Sequence, residues 1–184
     1  MEAISTAPQD LESSVKNIIS NYDSNPDREG LVETPKRYLK FLKEFTSPED
    51  FNYTTFSNEN NDALIVQKDI PFYSLCEHHL VPFYGKASVG YLAKDKIIGL
   101  SKLARCVDYY ARRFQNQERI GVQVAERLMK ELDCLGVCVV IEAEHLCMAM
   151  RGIKKPGAKT ITSVMTGEFK KSIALRQEVM SLLK

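Results

Sequence analysis

The sequence predicts an α+β domain preceded by a helical hairpin, and three observations carry that expectation. Two amphipathic helical patterns open the chain before any β-branched run is met. The strand-like runs then fall into two blocks separated by a pair of helices, rather than alternating singly with helices as a βαβ fold requires. A length of 184 residues, 44% hydrophobic and 27% charged, fits one water-soluble domain of ordinary size with an extension. On this pattern the N-terminal part spans residues 1–62 and the main domain residues 63–184.

Met1 to Asp10 reads as a short polar tail. Leu11, Val15, Ile18, Ile19 and Tyr22 recur at helical spacing, so a first helix is expected over about 10–23. The turn formers from Asn25 to Gly30 end it. Thr34 followed by Pro35 reads as an N-cap with proline at the first helical position. Tyr38, Leu39, Phe41, Leu42 and Phe45 give the second helix, ending near Ser47-Pro48. Residues 50–62 are polar and read as a loop. Ala63 to Ile70 reads as a strand, with an irregular stretch beginning at Pro71 and holding Cys76-Glu77-His78-His79. A long strand follows from Phe83 to Ala93, then a turn at Asp95-Lys96 and a short return at Ile97-Ile98.

Ser101 is expected to cap a helix with the apolar face Leu103, Ala104, Val107, Tyr110, Ala111 and Phe114. Ile120, Val124, Leu128 and Leu132 define a second helix over 117–132. Gly136 to Ala143 is a β-branched run of the buried-strand type. The stretch from Lys154 to Lys159 is a loop, Thr160 to Phe169 is strand-like, and Ile173 to Leu183 closes the chain as a helix.

Composition excludes several function classes. The 25 basic and 24 acidic residues leave a formal charge of +1, unlike the strongly basic surface of a nucleic-acid binder. No apolar run approaches the roughly 20 residues of a membrane span. The N-terminus lacks the basic and apolar regions of a secretory signal. The five cysteines form no disulfide framework, so the expected compartment is the reducing cytoplasm, with thiols free or bound to metal.

All three histidines lie within a few residues of a cysteine. Cys76 and His79 have the C-x-x-H spacing that lets a thiolate and an imidazole reach one ion from a single turn. Cys147 is the natural third ligand, at the end of a strand with His145 two residues before it. Alternate residues of an extended strand share a face, so His145 and Cys147 can line one pocket. Zinc suits this sulfur and nitrogen set, and three protein ligands with a water mark a catalytic site. Spacing alone does not decide which of His78 and His79 binds the metal. No fourth ligand with paired spacing supports a closed structural site, and the additional imidazoles titrate near neutrality and can move protons. Cys106, Cys134 and Cys138 read as small buried hydrophobes.

The strings DREGLVETPKR, CEHHLVPFYGK, IGLSKLAR, QNQER and EAEHLCMAMRGI, in this order, resemble the GTP cyclohydrolase I family. The resemblance covers nearly everything from Asp27 to the C-terminus. It implies that Cys76, His79 and Cys147 hold Zn2+, that His78 and His145 are the free proton-transferring histidines, and that Ser101 lies near the ribose. It also implies that Glu118, with Gln117 beside it, meets the guanine edge, and that Lys102, Arg105 and Arg151 meet the triphosphate. A carboxylate can accept both the ring and the exocyclic N–H of guanine, and a triphosphate needs several cations. A solvated helix face is the ordinary alternative for the basic trio, and a surface ion pair with Arg119 is the alternative for Glu118.

The implied fold is the tunnelling fold, an antiparallel sheet with two helices on one face. The implied assembly is a homodecamer of two stacked pentamers with sites at subunit interfaces. The implied reaction converts GTP and water to 7,8-dihydroneopterin triphosphate and formate, with no redox cofactor. Asn116 departs from the family pattern, which commonly has a small apolar residue there. A nitrile reductase of the same fold would use a cysteine nucleophile and NADPH instead of a zinc triad. A non-catalytic GTP- or pterin-binding module would have no need of His78 and His145.

Overall fold

The computed structural model describes residues 8–59 and 64–183, and the chain divides into two compact units, Met1–Ser47 and Pro48–Lys184. The expected polar tail lies largely outside the described residues, as does Ala63.

In the first unit the helical spacing produces α1 (Pro8–Tyr22), a short α2 (Glu29–Val32) and α3 (Thr34–Phe45), with α1 packed on α3. The expected hairpin is present, with two local differences. Glu29 and Gly30 are helical rather than part of the turn. Thr34 is the first residue of α3 and Glu33 is its cap, because the Thr34 hydroxyl donates back to the Gly30 carbonyl at 3.3 Å instead of serving the new helix.

In the second unit β1 (Thr55–Ser57) lies inside the segment expected as a loop. It pairs antiparallel with β4 (Lys96–Ile98), so the Ile97-Ile98 return lies against β1. The segment is three residues long and therefore carries too little alternation to announce itself.

The main sheet has five strands in the order β5-β2-β3-β6-β7, formed by β2 (Leu64–Cys76), β3 (Pro82–Leu92), β5 (Phe114–Gln115), β6 (Gly136–His145) and β7 (Lys159–Met165). Pairs β2–β3, β3–β6 and β6–β7 are antiparallel, whereas β5 joins β2 in parallel. Contrary to expectation, β2 runs through Pro71 to Cys76. A register shift between Gln67 and Ile70, with Asp69 at φ 57°, takes up the irregularity. At Pro71 the second neighbour β5 has not yet joined, so the missing N–H meets an open edge. At Gly85 an added Cβ would lie 1.9 Å from the Glu142 carbonyl oxygen, so only glycine allows β3 and β6 to approach there.

Helices α4 (Leu100–Ala111) and α5 (Gln117–Leu132) lie on one face of the sheet. Leu103, Cys106, Val107, Ile120, Val124 and Leu128 interlock there with Phe72, Phe83, Val89, Tyr91, Val139 and Ile141. The intervening side chain of Cys138 points to the other face, where it packs with Phe169 of α7 (Glu168–Lys171) and Val179 of α8 (Ile173–Leu183). Ser101 does not cap α4; Gly99 does, leaving Ser101 exposed in the first turn. The strand expected to reach Phe169 stops at Met165, because Gly167 at φ 54° turns the chain into α7. The class is mixed α+β, as predicted. Among the described residues no helix is long and apolar enough to cross a membrane.

Candidate metal centre and active site

Strand register gathers the site at one end of the sheet. Phe83 of β3 stands opposite Ser74 of β2 on one side and His145 of β6 on the other. The β2–β3 hairpin tip and the end of β6 are therefore neighbours. The tip is a tight turn closed by Cys76 N–H to Val81 O at 2.9 Å and Leu80 N–H to Cys76 O at 2.8 Å. Leu80 pays for the reversal with φ 55°.

Cys147 reaches the same place by a route the sequence did not suggest. Strand β6 ends at His145, and Cys147 sits in the single turn α6 (Leu146–Ala149) rather than on the strand. The helical turn, not strand alternation, carries its thiol to the hairpin tip. The ligand atoms of Cys76, His79 and Cys147 all lie within 4.8 Å of one another. Cys76 is buried, Cys147 half-buried and His79 exposed, so the group opens toward solvent on the histidine side.

The donor set fits a metal ion. Burial, and then the neighbouring Cys76 sulfur, push the Cys147 thiol above its ordinary range. Two adjacent sulfurs resist joint ionisation unless a cation lies between them. By contrast Cys106, Cys134 and Cys138 are buried as expected, and burial pushes Cys106 and Cys138 up to about 11, the behaviour of inert thiols.

The two other histidines flank the cluster differently. His78 Nδ1 lies 3.7 Å from the Cys76 sulfur, but the ring is 68% exposed. His145 is half-buried and stacked on Phe83, with centroids 4.6 Å apart and planes 3° from parallel. Its Nε2 lies 2.9 Å from Gln117 Oε1. Burial lowers the His145 pKa, with the Glu118 carboxylate pulling the other way.

Parallel pairing of Phe114–Gln115 with Leu75–Cys76 sets the start of α5 beside the hairpin tip. Glu118, in the first turn of α5, is exposed there, where the helix dipole favours a carboxylate. It forms no pair with Arg119. Arg119 instead grips Glu77 with two bonds of 2.6 and 3.0 Å. Asn116 accepts from Arg119 N–H at 2.8 Å as the cap of α5 and donates to Glu77 at 2.9 Å. Arg119 and Asn116 together hold the Glu77 carboxyl below its ordinary range. This clamp ties the hairpin tip to α5 and was missed in the sequence. The asparagine immediately before a helical pattern was its available signal.

Arg151 is exposed, with one guanidinium nitrogen 3.4 Å from His79 Nε2, so it borders the cluster. Ser101, Lys102 and Arg105 are not brought there. The end of α4 near Ala111 leads into β5 beside Cys76, whereas the start of α4 is tied to Thr54 through Gly99 N–H. About 14 Å of helical rise separates Lys102 from Ala111. One chain thus assembles the metal group, both flanking histidines, Gln117, Glu118 and Arg151, and leaves Ser101 and Lys102 in the first turn of α4 and Arg105 midway along it.

Comparison with known proteins shows the family. Residues 11–184 match the family described as GTP cyclohydrolase I, so the likeness extends further toward the N-terminus than Asp27. A "GTP cyclohydrolase 1" of Clostridioides difficile is 50% identical over 179 residues, covering 94% of each chain. One of Thermobifida fusca is 52% identical, covering 94% of this chain and 86% of its own. One of Dictyostelium discoideum is 47% identical, covering 95% and 77%. With the match running through every residue of the metal group and of its flanking histidines, this chain belongs to the GTP cyclohydrolase I family.

Proposed function

We propose that this chain converts GTP and water to 7,8-dihydroneopterin triphosphate and formate, the entry reaction of pterin biosynthesis leading to folate or tetrahydrobiopterin. The observation that carries the reading is the three-donor group Cys76–His79–Cys147 with two further histidines beside it. A binding module would need neither of those imidazoles.

Zinc is the proposed metal: Cys76, His79 and Cys147 would hold it, and when bound it would supply Lewis-acid activation of a water, lowering that water's pKa toward about 7. His145 holds the proton delivered to the ring nitrogen beside carbon 8 of guanine as the imidazole ring opens. His78, exposed next to Cys76, moves a proton as formate is released. Glu118 orients the base by accepting its ring and exocyclic N–H groups, and Ser101 assists at the ribose. Lys102, Arg105 and Arg151 take the triphosphate.

The placement of Ser101 and Lys102 in the first turn of α4, with Arg105 midway along it and only the last turn leading to the metal group, supports a site completed by a second copy. The homodecamer of two stacked pentamers, with sites at subunit interfaces, and the tunnelling-fold form of the sheet are what the family resemblance implies, and they are proposed on that ground. Catalysis is assigned to residues 63–184, which contain every residue named. Two thiols that must stay reduced to hold metal support a cytoplasmic location.

The reading is tested by incubating the purified protein with GTP and measuring formate together with a fluorescent pterin after oxidation. Absence of both products from metal-loaded protein defeats it.

The two ends of the substrate separate by mutation. Glu118→Gln replaces one acceptor with a donor, a mispairing that costs on the order of 1–3 kcal/mol. GTP binding is then expected to fall by roughly ten- to a hundredfold with metal retained. Arg151→Ala is expected to weaken GTP far more than guanosine, since only phosphates meet that charge. Equal losses for GTP and guanosine would instead leave Arg151 holding the α6 turn or a subunit contact.

A further inference from the structure

Gln117 was expected at the guanine edge, yet its side chain is only 1% exposed and its amide is fully engaged inside the protein. The nitrogen Nε2 donates to the carbonyls of Ile141 and Thr160, each at 3.0 Å, and lies 3.1 Å from Thr162 Oγ1. Carbonyl oxygens only accept. Rotating the amide by half a turn would place its oxygen against two of them, so the orientation is chemically determined, not chosen between similar atoms. Gln117 Oε1 therefore faces His145 Nε2, at 2.9 Å. An amide oxygen only accepts, so Nε2 must be the nitrogen that carries hydrogen.

We infer that Gln117 is the positioning residue of His145, fixing its neutral ring as the Nε2–H tautomer and leaving Nδ1 as the nitrogen that exchanges a proton with substrate. Phe83, stacked at 3° to the imidazole, sets the plane of the ring, and Gln117 sets its rotation within that plane. Among the described residues Nδ1 has no hydrogen-bond partner. In the proton transfer, the Nδ1 proton passes to the guanine ring nitrogen and the Nε2–H bond to Gln117 stays intact. The ring thus returns to the one tautomer its surroundings accept. Two strands contribute to this through Ile141 of β6 and Thr160 and Thr162 of β7, none of which need touch GTP. The inference rests on His145 being the proton donor of the proposed reaction.

The test uses zinc-loaded protein labelled with nitrogen-15 histidine. Only three histidines are present, and His145→Ala assigns the signal. Long-range nitrogen–proton spectra of the wild type are expected to show His145 as Nε2–H; an Nδ1–H signature overturns the inference without any mutant. Gln117→Met, close in volume, is expected to keep the metal and to lower kcat for GTP by roughly ten- to a hundredfold, the scale of a misplaced general acid. KM should change by less than about threefold, since no ground-state contact is lost. The single-tautomer signature should disappear in the same variant. A raised KM with kcat preserved would make Gln117 a substrate contact after all. The spectra need no turnover, so a protein inactive on GTP would defeat the proposed reaction while still deciding the role of Gln117. If Gln117→Met does not fold, Thr162→Val serves. It keeps both carbonyls, so retention of the Nε2–H form is expected and a switch to Nδ1–H overturns the inference.

Discussion

Cys147→Ser is expected to bring metal content from about one ion per chain to less than about a tenth, with loss of essentially all turnover. A serine hydroxyl stays protonated at neutral pH and is a poor partner for a soft ion. Cys76 and His79 cannot hold the ion as a pair, and among the described residues the three form the only such group. Loss of Lewis-acid activation removes several kcal/mol of transition-state stabilisation. That corresponds to a fall in rate on the order of a thousandfold or more. Metal analysis beside the GTP assay checks both halves. Cys138→Ala is the control: its thiol packs with Phe169 and Val179 on the far face of the sheet, so metal should stay. A Cys147→Ser protein that retains full occupancy would remove this residue from the centre.

His145→Ala should give the opposite pairing of results, metal kept and ring opening lost. The ring nitrogens of His145 are not part of the metal group, and Nε2 is occupied by Gln117. Removing a general acid typically costs on the order of 10²- to 10⁴-fold. Formate release in a single turnover reads that step directly. The substitution also leaves Gln117 Oε1 buried without its donor, which costs on the order of 1–3 kcal/mol of stability. A lower melting temperature is therefore expected alongside normal metal content. If the zinc disappears with the activity, the roles of the histidines have been exchanged.

Local signals in the chain were strong enough to define most elements. The apolar spacing of Ile120, Val124, Leu128 and Leu132 defined α5 because one face of that helix is wholly buried, and burial selects residue type position by position. The β-branched run from Gly136 marked β6 for the same reason. Elements held by few residues left no such trace. The strand β1 has three residues, the turn α6 has four, and both owe their existence to what they pair with or connect. Pro71 misled because a proline usually ends a strand, and only the sheet order reveals that β2 has a free edge at that level.

The site divides along the same line. Cys76 and His79 were readable as partners, since only two residues lie between them and a turn suffices to bring them together. Cys147 was readable as a ligand by type and by resemblance, but its approach through α6 was not. His78 and His79, which spacing alone does not separate, lie almost equally near the Cys76 sulfur, at 3.7 and 3.8 Å, and it is His79 that groups with both Cys76 and Cys147 within 4.8 Å. The Glu77–Arg119–Asn116 clamp joins residues about forty apart in sequence. The sequence by itself determined which chemistry is available here, since thiols, imidazoles and a carboxylate are properties of residue type. Only the tertiary structure decided what each does. Whether Gln117 faces guanine or His145 depends on two carbonyls of neighbouring strands, Ile141 and Thr160, and a backbone carbonyl is the same in every residue until the fold points it somewhere.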